Sequence, residues 1–203
     1  MFYSIVKVIF QFLFKILFRV EVRGAENVPA EGSIIMAANH MSNFDPPLVG
    51  SFFPRPVAYM AKEELFHPKL AGLIIKNLYA FPVKRGTGDK GAIMTAIGIL
   101  RNKHCLGVFP EGTRSKTGEI GKPESGVAAL AALGKALVVP TAIIGTDKFS
   151  KGKLFPKLAI IIGEPMECKA KTKDKEGLQN FAQEIMDKIK EMKDSYEAEK
   201  NQV

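Results

Sequence analysis

Polar residues interrupt the first twenty positions, MFYSIVKVIFQFLFKILFRV, at Ser4, Lys7, Gln11, Lys15 and Arg19. Steps of three and four put all five on one narrow stripe of an α-helix, with Phe, Ile, Leu and Val covering the rest. The pattern predicts an amphipathic helix over residues 1–22 that lies in a bilayer interface, its cations near the head groups. A span is disfavoured, because Lys7 and Lys15 would be costly near the hydrocarbon centre. A helix docked on the domain's own core fits the same pattern. A secretory signal fits poorly, with no charged region ahead of the apolar run and no small-x-small site after it. Beyond a turn-like stretch at 24–32, short apolar runs predict strands at 33–38, 57–61, 79–83, 105–109, 137–140 continuing to 144, and 158–162. Between them, helical spacing predicts helices at 46–51, 68–77, 90–102 and 126–134. A last amphipathic helix is expected over 174–198, with Leu178, Phe181, Ile185, Met186, Ile189 and Met192 on one face. Alternation of this kind predicts one α/β domain over 23–203, a mostly parallel or mixed central sheet flanked by helices, with the site where loops leave the strand ends.

The 203 residues, 46% apolar and 25% charged, suffice for one core and argue against disorder. A formal charge of +8 favours an anionic partner: nucleic acid, a membrane surface or a phosphorylated substrate. Only six basic residues are Arg, so Arg85 and Arg114, each beside a candidate loop, stand out from the lysine background. The two cysteines, Cys105 and Cys168, form no disulfide or zinc pattern.

Two loops carry the candidate chemistry. In residues 39–47, NHMSNFDPP, His40 and Asp45 stand five apart in a strand-to-helix turn. There the carboxylate can accept the Nδ1 hydrogen and leave Nε2 free as a base. Asp45 ahead of Pro46 and Pro47 equally fits a helix N-cap followed by proline at the first helical position. In residues 109–115, FPEGTRS, Gly112 permits a sharp turn and Arg114 can hold a phosphate bidentately. Glu111 can orient that Arg or a substrate hydroxyl, and the same residues also fit an ordinary surface loop with an Arg–Glu pair.

Together these segments resemble the glycerolipid acyltransferases typified by bacterial 1-acyl-sn-glycerol-3-phosphate acyltransferase. Four blocks of that family stand in order: N-H-x4-D at 39–45, FPVKRG at 81–86 with Arg85 at the basic position, FPEGTRS at 109–115, and Val138-Val139-Pro140. The resemblance covers residues 23 to about 167, and its first and third blocks in combination are highly specific. Departures lie at Lys84, at Thr141 after Pro140, and at 121–126, which lacks an aromatic-Lys pair. The resemblance implies that His40 deprotonates an acceptor hydroxyl while Asp45 orients the imidazole, and that the hydroxyl attacks an acyl thioester directly. It further implies that Arg85, Arg114 and Lys84 bind the acceptor phosphate, that Glu111, Gly112 and Thr113 shape that subsite, and that Pro140 supports it. No metal and no cofactor are implied. The resemblance further implies acyl-CoA or an acyl carrier protein as donor, lysophosphatidate as acceptor, and a peripheral or monotopic place on the cytoplasmic face of the cell membrane.

Other readings fit less of the chain. Residues 86–91, GTGDKG, match G-x-G-x-x-G between a strand and a helix, with Glu111 twenty residues on, as in a dinucleotide site. That leaves His40 and the Arg114 loop without a role. A phosphate-binding loop at 107–112 has Thr113 where Lys is required. A basic module without catalysis explains the charge and the first helix, but the lysines are dispersed and no nucleic-acid motif occurs. Glycerol 3-phosphate or another lysophospholipid is the alternative acceptor.

Overall fold

The computed structural model describes residues 2–84, 88–115, 117–150, 152 and 154–202. In chain order the elements are α1 (Phe2–Leu17), β1 (Val20–Arg23), β2 (Ile34–Ala38), α2 (Asp45–Phe52), β3 (Val57–Lys62), α3 (Lys69–Asn77), β4 (Phe81–Val83), α4 (Lys90–Arg101), β5 (Cys105–Val108), α5 (Gly126–Gly134), β6 (Leu137–Ile144), the short α6 (Asp147–Ser150), β7 (Leu158–Ile162), β8 (Met166–Glu167) and α7 (Lys175–Asn201). The strand order is β1-β7-β6-β2-β5-β3-β4. The pairs from β6 through β4 are parallel, β7 runs antiparallel to β6, and β1 is parallel to β7. The mixed α/β domain expected from the alternation of apolar runs is therefore present.

Both faces of the sheet are covered, which is why β2, β5 and β6 read as nearly continuous apolar runs. Ile35, Ala37, Leu106 and Val138 point toward α4, α5 and α7, while Ile34, Met36, Cys105 and Val139 point toward α1 and α2. The stripe of α7 buries Leu178, Phe181, Ile185, Met186 and Ile189 as its spacing predicts. Fully burying side chains of this kind contributes about 1.5–3 kcal/mol each, so α7 is an integral layer. Its far end is tied to β1, where Arg23 bridges Glu21 and Glu199 and Tyr196 donates to Glu21.

Three elements depart from expectation. Residues 20–23 form edge strand β1 and do not continue the first helix. The strand expected at 79–83 begins at Phe81, because Tyr79 has φ 62°, a left-handed conformation that ends α3 and excludes strand geometry. Helix α1 forms, but part of its polar stripe faces inward. Tyr3, Gln11 and Lys7 donate to the carbonyls of Gly50, Ser51 and Phe53 at 3.1, 2.7 and 2.7 Å. Those carbonyls at the end of α2 lack helical partners, so the side chains cap α2 from outside, and the Lys7 charge complements the negative end of its dipole. Burial lowers the Lys7 pKa. The consequence is an outward apolar face: Ile5, Val8, Ile9, Phe12, Leu13, Ile16 and Leu17 are exposed. Among the described residues no helix is long and apolar enough to cross a membrane.

Candidate active site

The parallel strands β2 and β5 lie side by side, and both candidate loops leave their carboxyl ends. Just past β2, buried Asn39 acts as a substitute ladder rung. Its Nδ2 donates to Ile143 O at 2.9 Å, and its Oδ1 accepts Ile143 N–H at 2.7 Å. Thus β6 anchors the residue before His40. His40 itself is held at both peptide groups by the loop after β5, 71 positions away: its N–H donates to Glu111 Oε1 at 2.8 Å, and its carbonyl accepts from Ser115 N–H at 2.8 Å. The ring lies parallel to Phe109, with centroids 4.1 Å apart and planes 19° apart.

Asp45 is fully buried, and one oxygen, Oδ2, gathers three donors: His40 Nδ1 at 2.8 Å, Met41 N–H at 2.6 Å and Ser42 N–H at 2.7 Å. The cap reading of Asp45 is therefore corrected. It is the first residue of α2, its side chain caps none of the helix's own amides, and it turns back to close the loop that precedes it. Pro46 and Pro47 occupy the first turn, where missing N–H groups cost nothing. A carboxylate on Nδ1 fixes the hydrogen there, so the lone pair is on Nε2, which bonds to no described residue. This geometry leaves Nε2 able to accept a proton.

Glu111 departs from the expected pairing with Arg114. It is buried, and its second oxygen accepts Gly121 N–H at 2.8 Å, so the carboxylate stitches three backbone segments together. Gly112 turns the chain beside it with φ 66°. Thr113 and Arg114 are exposed, and Arg114 makes no ion pair among the described residues. Because Ser115 is bonded to His40, the Arg114 backbone lies beside the dyad with its guanidinium available.

The second block is less close. Lys84 follows β4, three strands from β2 at about 4.8 Å per strand, or about 14 Å. It shares the sheet edge with the dyad but lies 3.9 Å from Glu63 Oε1. Arg85, with Gly86 and Thr87 of the G-x-G-x-x-G match, lies outside the described residues. Pro140 is buried within β6 beside Ala37 and reaches the site only through the strand that carries Ile143. Its carbonyl accepts Gly163 N–H, so the side on which proline lacks a donor faces the break between β7 and β8, and the ladder to β2 is intact.

One contributor had no place in the motif reading. Tyr59 of β3 stands opposite Gly107 of β5, and its ring lies parallel to Phe109 at 6.2 Å and 14°. A methyl group on Gly107 would stand 2.4 Å from Tyr59 Cε1, so only glycine admits this ring over the strand. A ladder Tyr59–Phe109–His40 results. An isolated Gly within a strand pattern is the signal that could have found it. Cys105 lies buried on the same face, and burial pushes its thiol up to about 12, which keeps it protonated and unsuited to act as a nucleophile.

A sequence model of the family described as Acyltransferase matches residues 19–144, which include both loops and the strands that carry them. The chain belongs to the acyltransferase family. It is 35% identical over 180 residues to a 1-acyl-sn-glycerol-3-phosphate acyltransferase of Bacillus subtilis, covering 85% of this chain and 87% of that one. A Saccharomyces cerevisiae protein of the same name is 31% identical, over 84% of this chain and 58% of its own length. The crystal structure of the 1-acyl-sn-glycerophosphate acyltransferase PlsC from Thermotoga maritima superposes with a TM-score of 0.77 at 28% identity, covering 94% of this chain and 79% of that one.

Proposed function

We propose that this acyltransferase moves a fatty-acyl group from a thioester to the sn-2 hydroxyl of 1-acylglycerol-3-phosphate, forming phosphatidic acid for phospholipid synthesis. The observation that carries the reading is the His40–Asp45 pair, held at 2.8 Å and locked at both His40 peptide groups by the loop bearing Arg114. Nε2 takes the hydroxyl proton, the oxygen attacks the thioester carbonyl, the C–S bond breaks, and the proton passes to the departing thiolate. Asp45 stabilises the imidazolium between these steps. Catalysis draws on the imidazole and fixed dipoles, with no cofactor.

Arg114 binds the acceptor phosphate, as an exposed guanidinium with no ion pair among the described residues is suited to do. Arg85 and Lys84, the basic residues of the second block, contribute to the same phosphate subsite. Gly112 and Thr113 shape the loop around it. Glu111 and Pro140 act by support: the first clamps the loop, the second lies in the strand behind Asn39. The outward apolar face of α1, with exposed Lys15 and Arg19 beside it, rests on the cytoplasmic leaflet as a peripheral or monotopic anchor. The donor is acyl-CoA or acyl carrier protein. The test is a purified-enzyme assay pairing lysophosphatidate or glycerol 3-phosphate with each donor. Lysophosphatidate should be the preferred acceptor, and Arg114→Ala should raise its KM at least about tenfold. An unchanged KM in that variant contradicts the phosphate role.

A further inference from the structure

The carboxyl end of α1 does not stop at its own apolar face. Phe18 packs edge-on against Phe149 at 5.1 Å and 89°, and lies 6.1 Å from Phe155. Phe149 in turn lies 4.7 Å from Phe44, the residue that separates the catalytic turn from Asp45. Four phenylalanines from three separate segments thus form one surface cluster running from the end of α1 to the dyad. Its outer members are open to solvent: Phe44 is 47%, Phe155 64% and Leu154 77% exposed. Exposed cations flank it, Lys148 and Lys157 in the same connection between β6 and β7, and Arg19 after α1.

Exposed large apolar side chains beside a site have a cause outside the core, because exposed Leu and Phe gain nothing from water. Exposed Leu154 and Phe155 flanked by exposed Lys148, Lys157 and Arg19 match an anionic leaflet, where the acyl region receives the apolar side chains and the head groups receive the cations. The patch also meets the end of α1, since Phe18 packs on Phe14 of that helix at 5.8 Å.

We propose that Leu154 and Phe155, ahead of β7, form a second membrane contact, inserting into the same leaflet as α1. Through Phe149 and Phe44 this contact holds the catalytic turn at the leaflet surface, where a single-chain acceptor presents its hydroxyl. The acceptor's chain then stays in the hydrocarbon while only its head group reaches His40. The inference rests on the bilayer reading of α1, and it adds a residue-level contact which that reading does not require.

The test uses the full chain and the double variant Leu154→Ser/Phe155→Ser, neither position belonging to the catalytic machinery. Partition is measured by flotation with equimolar phosphatidylcholine and phosphatidylglycerol vesicles, and needs no turnover. Turnover is then compared for long-chain lysophosphatidate in those vesicles and for a short-chain lysophosphatidate monomeric in water. The variant is expected to partition about tenfold or more weakly, to lose vesicle-borne turnover to a similar degree, and to keep the wild-type rate on the short-chain acceptor. Wild-type partition in the variant overturns the proposal. So does an equal loss on both acceptors, which would mark a damaged site. Should the wild-type chain acylate neither acceptor, the acyltransferase reading fails, while the partition result still decides the membrane contact.

Discussion

Replacing Gly107 with alanine probes how the imidazole is held. The added methyl would stand 2.4 and 2.6 Å from Tyr59 Cε1 and Cδ1, and 2.7 Å from Val57 Cγ1. Carbons pack at about 3.5–4.0 Å, so the ring must retreat by roughly 1 Å. On the opposite edge of that ring Gly50 of α2 leaves room, since even a methyl there would reach only ordinary contact with Tyr59 Cε2 at 3.6 Å. Retreat is therefore passed on through the stack, tilting Phe109 and with it the His40 ring. Overpacking of this kind costs about 1–3 kcal/mol, and at about 2–4 °C per kcal/mol the Tm falls by several degrees. A catalytic group displaced by about 1 Å loses about a hundredfold in rate. With half of the shift transmitted, kcat should fall about tenfold, or about 1.4 kcal/mol, while the acceptor KM stays within about twofold. Release of the donor thiol, followed with a chromogenic thiol reagent, measures both. Gly98→Ala is the control, since a methyl there meets nothing within 4 Å. A Gly107→Ala enzyme with the lowered Tm and wild-type kcat would refute the ladder.

Other substitutions separate clamping from binding. Glu111→Gln keeps one acceptor and aims an NH2 at a backbone N–H, so kcat should drop at least about tenfold with acceptor KM nearly constant; a rise in KM alone would return Glu111 to the substrate. Asn39→Ala strands the N–H and C=O of Ile143 in the core and should cost about 2–4 kcal/mol in urea unfolding, against which a loss below about 0.5 kcal/mol would count. At the far pole, the hydrogen bond from Tyr196, with Arg23 adding, lowers the Glu21 pKa from 4.5 to about 2. That contribution is complete above about 4.5 and disappears as pH falls toward 2. Amide exchange in the last turns of α7 should accelerate on acidification through this window, and less so in Tyr196→Phe, whose tether is already weakened; identical acid profiles would contradict the link.

What could be read from the residues, and what could not, divides along physical lines. Local periodicity located β2, β3, β5, β6 and β7 and the helices α2, α4, α5 and α7 because each buries a regular face against the sheet. The spacing of His40 and Asp45 placed them in one turn, since a loop of that length can hardly keep them apart. Partners across the chain were not legible. Glu111 faces His40 N–H and Gly121 N–H only because β2 and β5 are neighbours, which no local pattern states. The inward stripe of α1 answers unpaired carbonyls on α2, a demand invisible from the first twenty residues. Val20–Arg23 alternates too briefly to be separated from the helix before it, and Tyr79 adopts a positive φ that its residue type does not signal. Gly107 hinted at a close approach, but only the strand register names Tyr59 as its cause.

The account depends most on a neutral imidazole taking a proton from a lipid hydroxyl. Single-turnover transfer from a labelled acyl thioester to lysophosphatidate, compared between wild-type and His40→Ala enzyme of equal Tm, tests this directly. The account predicts that the variant still binds lysophosphatidate yet forms phosphatidic acid at least about a thousandfold more slowly, within the range that positioned acid–base groups supply. Product formation at the wild-type rate in a folded His40→Ala enzyme would contradict it.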